Sequence, residues 1–265
     1  MSKVNLTTIL FLIIFSFGNL QANRLISYQS VYDIDLDEER ITKFTFGKPF
    51  IKQANGELLL DWYDNCSSWV SNQRMNLVFV NSSGVGTITD IDYSLNENYD
   101  GSEMTFALQV TENNMIVERV NGKAEKNKKV KVMLFGNKEK QLEFSGDIIF
   151  PHQHLKDIIS NIKQKKKIAS HRVYEGSIPD KFLNVSTFIN SKTIKVEKKL
   201  LTSGISNKFW IVRMAYYDEN KQTPEMELTA HINEQGFVSF FKYDYPEYSL
   251  KMKLKKVVLS PTSCD

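Results

Sequence analysis

His152 and His154 flank Gln153, and two imidazoles this close are a beginning of a metal site. No third ligand stands at a recognisable spacing from them, and His171 and His231 are isolated, so no metal is expected. A cap on a helix N-terminus, or hydrogen bonds from the two side chains to nearby backbone, accounts for the pair more simply. Asp64 stands two residues before Cys66. It has the type for acid–base work, but an aspartate capping a turn is far commoner. Cys66 as a nucleophile would need a free thiol and a histidine to activate it. Cys264 is the only other cysteine, so the two are either buried free thiols or a disulfide. No G-x-S-x-G, H-E-x-x-H or phosphate-loop pattern occurs, and no catalytic residue is assigned. The expectation is a protein that is not an enzyme and needs no cofactor.

The start of the chain weighs on the cysteines. Lys3 precedes the apolar run Ile9-Leu10-Phe11-Leu12-Ile13-Ile14-Phe15-Ser16-Phe17, Gly18 and Asn19 break it, and Ala22 offers a cleavage point. This predicts a signal peptide over residues 1–22. The run is well short of the roughly 20 residues that span a bilayer, nothing later approaches it, and no cysteine stands at the cut for lipid attachment. Export to an oxidising compartment favours a Cys66–Cys264 disulfide, with Trp62, Tyr63 and Trp69 beside the sulfur. The charge balance, 34 basic against 31 acidic residues and a net +3 over 265 residues, is no nucleic-acid footprint. Residues 23–265 suffice for a sizeable core.

The elements that must position these groups are mostly strands. Period-two alternation runs through Tyr28 to Leu36 and Thr42 to Phe46, Leu58 to Trp62 leads into the cysteine stretch, and Met75 to Val80 is a short buried run. The alternation continues through Ile91 to Leu95, Met104 to Val110, Met115 to Val117, Lys129 to Phe135 and Gln141 to Phe144. Asp100-Gly101 marks a turn, and Asn121-Gly122 is the strongest hairpin signal, because a type I′ turn needs positive φ at both central residues. Leu155, Ile158, Ile159 and Ile162 then fall at helical spacing after Pro151, with Asp157 near the start and Lys163, Lys165, Lys166 and Lys167 crowding the end. This one amphipathic helix should pack across an open end or concave face of the sheet. Strands resume at Val185 to Ile189 and Lys192 to Leu200. Phe209 to Tyr217 is apolar enough to be buried on both faces, and Met226 to Ile232 alternates before a turn at Asn233 to Gly236. Phe237 to Tyr245 and Tyr248 to Val258 close the series. In the last of these Lys251, Lys253 and Lys255 share one face, expected to be solvated and to discourage edge pairing. The fold class is therefore mainly β, a meander of many antiparallel strands, with no strand–helix alternation to suggest a nucleotide-binding sheet.

The order of features resembles a known family. Tyr28-x-x-x-Tyr32 is followed by Trp62-Tyr63-Asp64-Asn65-Cys66-Ser67-Ser68-Trp69, then Tyr99-Asp100-Gly101-Ser102-Glu103-Met104-Thr105-Phe106. Phe150-Pro151-His152-Gln153-His154-Leu155 opens the helix. Tyr174-Glu175-Gly176-Ser177, Pro224-Glu225-Met226-Glu227, Tyr243-Asp244-Tyr245 and the terminal Cys264 complete the order. Across residues 23–265 this looks like the bacterial cell-envelope integrity protein B (EipB-like) family of periplasmic proteins. It departs where the family has Asp-Gly after the cysteine and this chain has Ser67-Ser68. The resemblance implies a single domain, a large antiparallel β-spiral or incompletely closed barrel, and a disulfide on Cys66 and Cys264. It also implies residence in the Gram-negative periplasm and a non-enzymatic role in envelope integrity. It carries over no catalytic or ligand-binding residues. A curled sheet suggests a concave face that binds lipid, acyl chain or peptide; the alternative is an interaction scaffold for other envelope proteins, such as those with tetratricopeptide repeats. No nucleic acid and no stable membrane span are expected.

Overall fold

The computed structural model describes residues 25–38, 50–136, 139–261 and 264. The expected signal peptide and the strand expected over Thr42 to Phe46 lie outside the described residues. Fifteen strands form one sheet: β1 (Tyr28–Leu36), β2 (Ile51–Asp64), β3 (Ser68–Asn81), β4 (Gly86–Asn98), β5 (Glu103–Glu112), β6 (Met115–Lys126), β7 (Val130–Phe135), β8 (Lys140–Phe144), β9 (Ile148–Ile149), β10 (Ile168–Val173), β11 (Leu183–Lys195), β12 (Lys208–Tyr217), β13 (Met226–Ile232), β14 (Val238–Asp244) and β15 (Ser249–Leu259). A helix, α1 (Pro151–Lys163), follows β9.

The strand order shows how the sheet grows. From the central β1–β15 pair, one meander runs out through β2 to β8 and the other runs back through β14 to β9. Every pairing is antiparallel except β9 with β10. Right-handed strand twist curls so long a sheet on itself, and here it makes a nearly closed barrel whose seam lies between the edges β8 and β9. Arg172 bridges that seam, donating to the Ser145 carbonyl at 3.0 Å and to Glu219 at 3.1 Å.

Charge sets the register of the central pair. Asp33 lies opposite Lys253 and Asp35 opposite Lys251. Lys255 pairs with Asp33 and Glu57, each at 2.9 Å, and Lys251 and Lys242 both reach Asp37 at 2.7 Å. The lysine row of β15 is thus not merely a solvated face, and β15 is not an edge: it meets the acidic row of β1. A one-residue slip of β1 would turn Asp33 and Asp35 to the other face and expose Tyr32 and Ile34, which are fully buried.

Three local expectations need correcting. Asn121-Gly122 is no turn; it sits inside β6, with Gly122 opposite Leu134 and against the Phe106 ring, where a Cβ would collide. The β5–β6 turn is Asn113-Asn114, with φ of 48° and 66°, so asparagines supply the left-handed backbone. Strand β12 is not buried on both faces: Arg213 is exposed, and Lys208 lies over the Trp210 ring at 4.8 Å, because the outside of a curled sheet faces solvent. The strand expected over Lys192 to Leu200 belongs partly to β11, whose pairing with β12 shifts between Ile189 and Thr193, and Lys198–Leu200 is a 3-10 turn.

Candidate functional site

The two ends of the curl are built differently. At one end the barrel is filled by its own side chains: Tyr28, Tyr32, Ile34, Phe209, Phe237 and Val257 pack together. The Tyr28 and Phe237 rings meet edge-on at 4.8 Å, and Tyr32 Oη donates to the Val238 carbonyl at 2.6 Å. Here His152 packs against both Trp62 at 4.9 Å and Trp69 at 5.0 Å, whose own rings lie 5.9 Å apart. Burial, aided by the Lys156 charge, lowers its pKa to about 3, so the ring is neutral.

Neither histidine caps the helix. The residue preceding α1, Phe150, makes no side-chain cap, and neither ring nitrogen of His152 finds a partner among the described residues. The cap comes from the sheet. Glu97, at an inward position of β4, accepts the His152 and Gln153 backbone N–H groups at 2.6 and 3.0 Å. A helix leaves its first N–H groups unpaired, and a carboxylate there also opposes the helix dipole. Burial nevertheless dominates and raises Glu97 to about 7. Asp157, expected early in the helix, lies in its middle, and the first turn holds no acid. His154 meets His171, with rings 5.3 Å apart, and His171 Nε2 lies 3.5 Å from Asp157. Among the described residues no group of three or more His, Cys, Asp or Glu side chains could hold a metal.

Asp64 and Cys66 form the turn between β2 and β3, to which the chain end is joined through Cys264. Asp64 Oδ1 accepts the Cys66 N–H at 2.9 Å and a bond from the Tyr99 hydroxyl. Cys66 and Cys264 are joined by a disulfide, with 5.2 Å between their Cα atoms. Asp64 thus acts as a turn cap, and no thiol remains free among the described residues.

The other half of the curl is open inside. A cavity of about 720 Å³ lies between the inner faces of β3–β5 and β12–β15, a size typical of small-molecule sites. Met75, Leu77, Phe79, Leu228 and Met252 give it apolar walls, and Tyr93, Tyr216, Tyr243, Tyr245 and Tyr248 give it aromatic ones. It reaches the rim at the β3–β4 turn, where Val85 is exposed, and its floor lies by Pro151. Two acidic residues line it, Glu112 by the rim and, deeper, Glu175 from the β10–β11 connection, whose carbonyl at this residue accepts the Tyr93 hydroxyl. Burial alone raises Glu175 to about 7. Its intermediate surface exposure opens into the cavity. Its charge in turn adds to burial in raising the Tyr93, Tyr216, Tyr243 and Tyr245 hydroxyls.

Sequence reasoning assigned no ligand-binding residue, so Glu175, Glu97 and the tyrosine wall were missed. For Glu97 a signal existed: it follows Tyr93 and Leu95 at period two, and an acid on an apolar face marks a special role. Glu175 stood out only within Tyr174-Glu175-Gly176-Ser177, in a connection, with nothing there to assign it a role.

Comparisons with known proteins place the chain. No curated protein matches it. Among solved structures, the crystal structure of a beta-barrel-like protein of a domain of unknown function from Brucella abortus superposes with a TM-score of 0.82 at 22% sequence identity, covering 90% of this chain and 99% of that one. The two share a fold. The EipB-like family profile matches residues 19–261, which is nearly the whole sequence, and the chain belongs to the EipB-like family.

Proposed function

We propose that this chain is an exported, periplasmic protein that supports the cell envelope without catalysis, and that it does so by holding a hydrophobic ligand in the open half of its curl. The observation that carries the reading is the cavity of about 720 Å³ with apolar and tyrosine walls. Walls of this kind in a pre-formed concavity gain from removing an apolar ligand from water. The paired Cys66 and Cys264 suit an oxidising compartment, and the other half of the barrel, filled and stapled, supplies a rigid base for the open half.

Native mass spectrometry of the mature protein purified from periplasm tests this, with organic extraction of any passenger. A reproducible lipid, acyl-chain or peptide mass is expected. A clean unliganded mass, together with no binding of neutral hydrophobic probes, would refute the reading. One observation favours a second role as a scaffold for envelope partners such as tetratricopeptide-repeat proteins. The β7 pairing on β6 begins only at Asn121, and beyond it Met115, Ile116 and Val117 are 68%, 53% and 54% exposed, an apolar strand edge of the kind that accepts another chain.

A further inference from the structure

The proposed carrier role leaves the ligand's head group open, and the cavity's charges decide it. Among the described residues lining the cavity, none is Lys, Arg or His, while two are acidic: Glu112 near the exposed rim and Glu175 inside. The carboxyl of Glu175 has no hydrogen bond or ion pair among the described residues. Around it stand Tyr93, Tyr216, Tyr243 and Tyr245, all close enough to feel its charge. The Tyr243 and Tyr245 rings stack at 6.4 Å, and Tyr245 and Tyr248 lie 5.0 Å apart.

This combination has a definite preference. A buried carboxylate is costly unless a cation or strong donor meets it. Aromatic faces attract ammonium groups through the ring quadrupole, and cages of such rings recognise alkylated ammonium. An anionic head would enter without a single basic partner and would face two like charges. We propose that the cavity selects a single-chain amphiphile whose head is a cationic nitrogen, with the nitrogen on Glu175 among the tyrosines and the chain along Met75, Leu77, Leu228 and Met252. Free fatty acids and other anionic amphiphiles are excluded. This inference rests on the carrier reading and narrows it.

The test uses the disulfide-bonded mature protein at pH 8, where Glu175 is largely charged, and a neutral fluorescent probe, N-phenyl-1-naphthylamine, to report cavity occupancy. Dodecylammonium, dodecanol and dodecanoate compete below their aggregation concentrations. The ammonium should displace the probe at about tenfold or more lower concentration than the alcohol, the range expected of a charged hydrogen bond, and dodecanoate should be weakest. In Glu175→Gln the ammonium-to-alcohol ratio should fall to within about twofold, and Glu175→Asp should restore it. Equal potency of the three competitors on the wild-type protein, or a preference that survives in Glu175→Gln, would overturn the head-group inference and leave the carrier reading standing. If the probe does not bind the wild-type protein at all, the carrier reading fails and this inference with it. The wild-type ratios decide the matter even if a variant fails to fold.

Discussion

Replacing both cysteines by serine should destabilise the protein strongly while leaving its architecture in place. The bond joins residues separated by 198 positions, and chain-entropy arithmetic for a loop that long gives about 5 kcal/mol, an upper value for the oxidised protein's advantage. Almost all of it should come from the unfolded chain, because the folded ends are held without the bond. The Cys66 turn is closed by Asp64 Oδ1 on the Cys66 N–H at 2.9 Å and by the Asn65 N–H on the Ser68 carbonyl at 3.0 Å. Past β15, the Ser260 N–H donates to the Ser27 carbonyl at 2.9 Å and brings the chain end toward that turn. Urea denaturation followed by tryptophan fluorescence would measure the loss. With a slope of about 3 kcal/mol per molar for a chain of this size, C66S/C264S should unfold at a midpoint about 1–1.5 M lower, and its far-ultraviolet circular dichroism should be unchanged before the transition. The slope itself should stay equal or rise, since the uncrosslinked chain expands further. A midpoint within about 0.3 M of the oxidised wild type would refute the argument that this long loop is the source of stability. A lost circular dichroism spectrum would refute the claim that the turn and chain end are placed without the bond.

Two further predictions concern buried acids of opposite sign. Burial works to raise Asp37, but the Lys242 and Lys251 ion pairs outweigh it and bring the group down to about 2. Its stabilisation is therefore present above the unfolded value of 3.8 and is lost as pH falls towards 2. Asp37→Asn should cost on the order of 1 kcal/mol at pH 6, the two lysines being partly solvated, and the gap to wild type should close in thermal melts taken between pH 4 and pH 2. Glu175 is raised from 4.5 to about 7, so the folded protein bears a penalty that appears as pH climbs through that window. Glu175→Gln should be more stable than wild type by up to about 3 kcal/mol at pH 8 and no more stable near pH 4; a variant that is less stable at pH 8 would mean the carboxylate has a structural partner.

What was legible in the chain was whatever repeats locally. Alternation at Tyr28–Leu36 and Met226–Ile232 marked strands that the structure ends at those same residues, and the spacing of Leu155, Ile158, Ile159 and Ile162 marked α1, with Pro151 in its first turn. The misread places share a cause. Asn121-Gly122 has the chemistry of a turn, but the glycine serves the Phe106 ring on a neighbouring strand. The lysines of β15 are solvated as expected, but the acidic row of β1 that they face lies far off in sequence; Lys255 and Asp33 are 222 residues apart. No window of sequence contains both partners.

The same distance hides the acids, yet they are the residues whose placement can be reasoned from energy. Enclosing a carboxyl group among apolar side chains is unfavourable, and a fold that keeps one must recover the loss in an interaction. For Glu97 the recovery is visible 55 residues away, in the two N–H groups that open α1, and the helix is thereby fixed to the wall it closes. For Glu175 no equivalent exists among the described residues. Its surroundings are tyrosine side chains and an opening, and a carboxyl group so placed favours a partner that arrives from outside and carries positive charge.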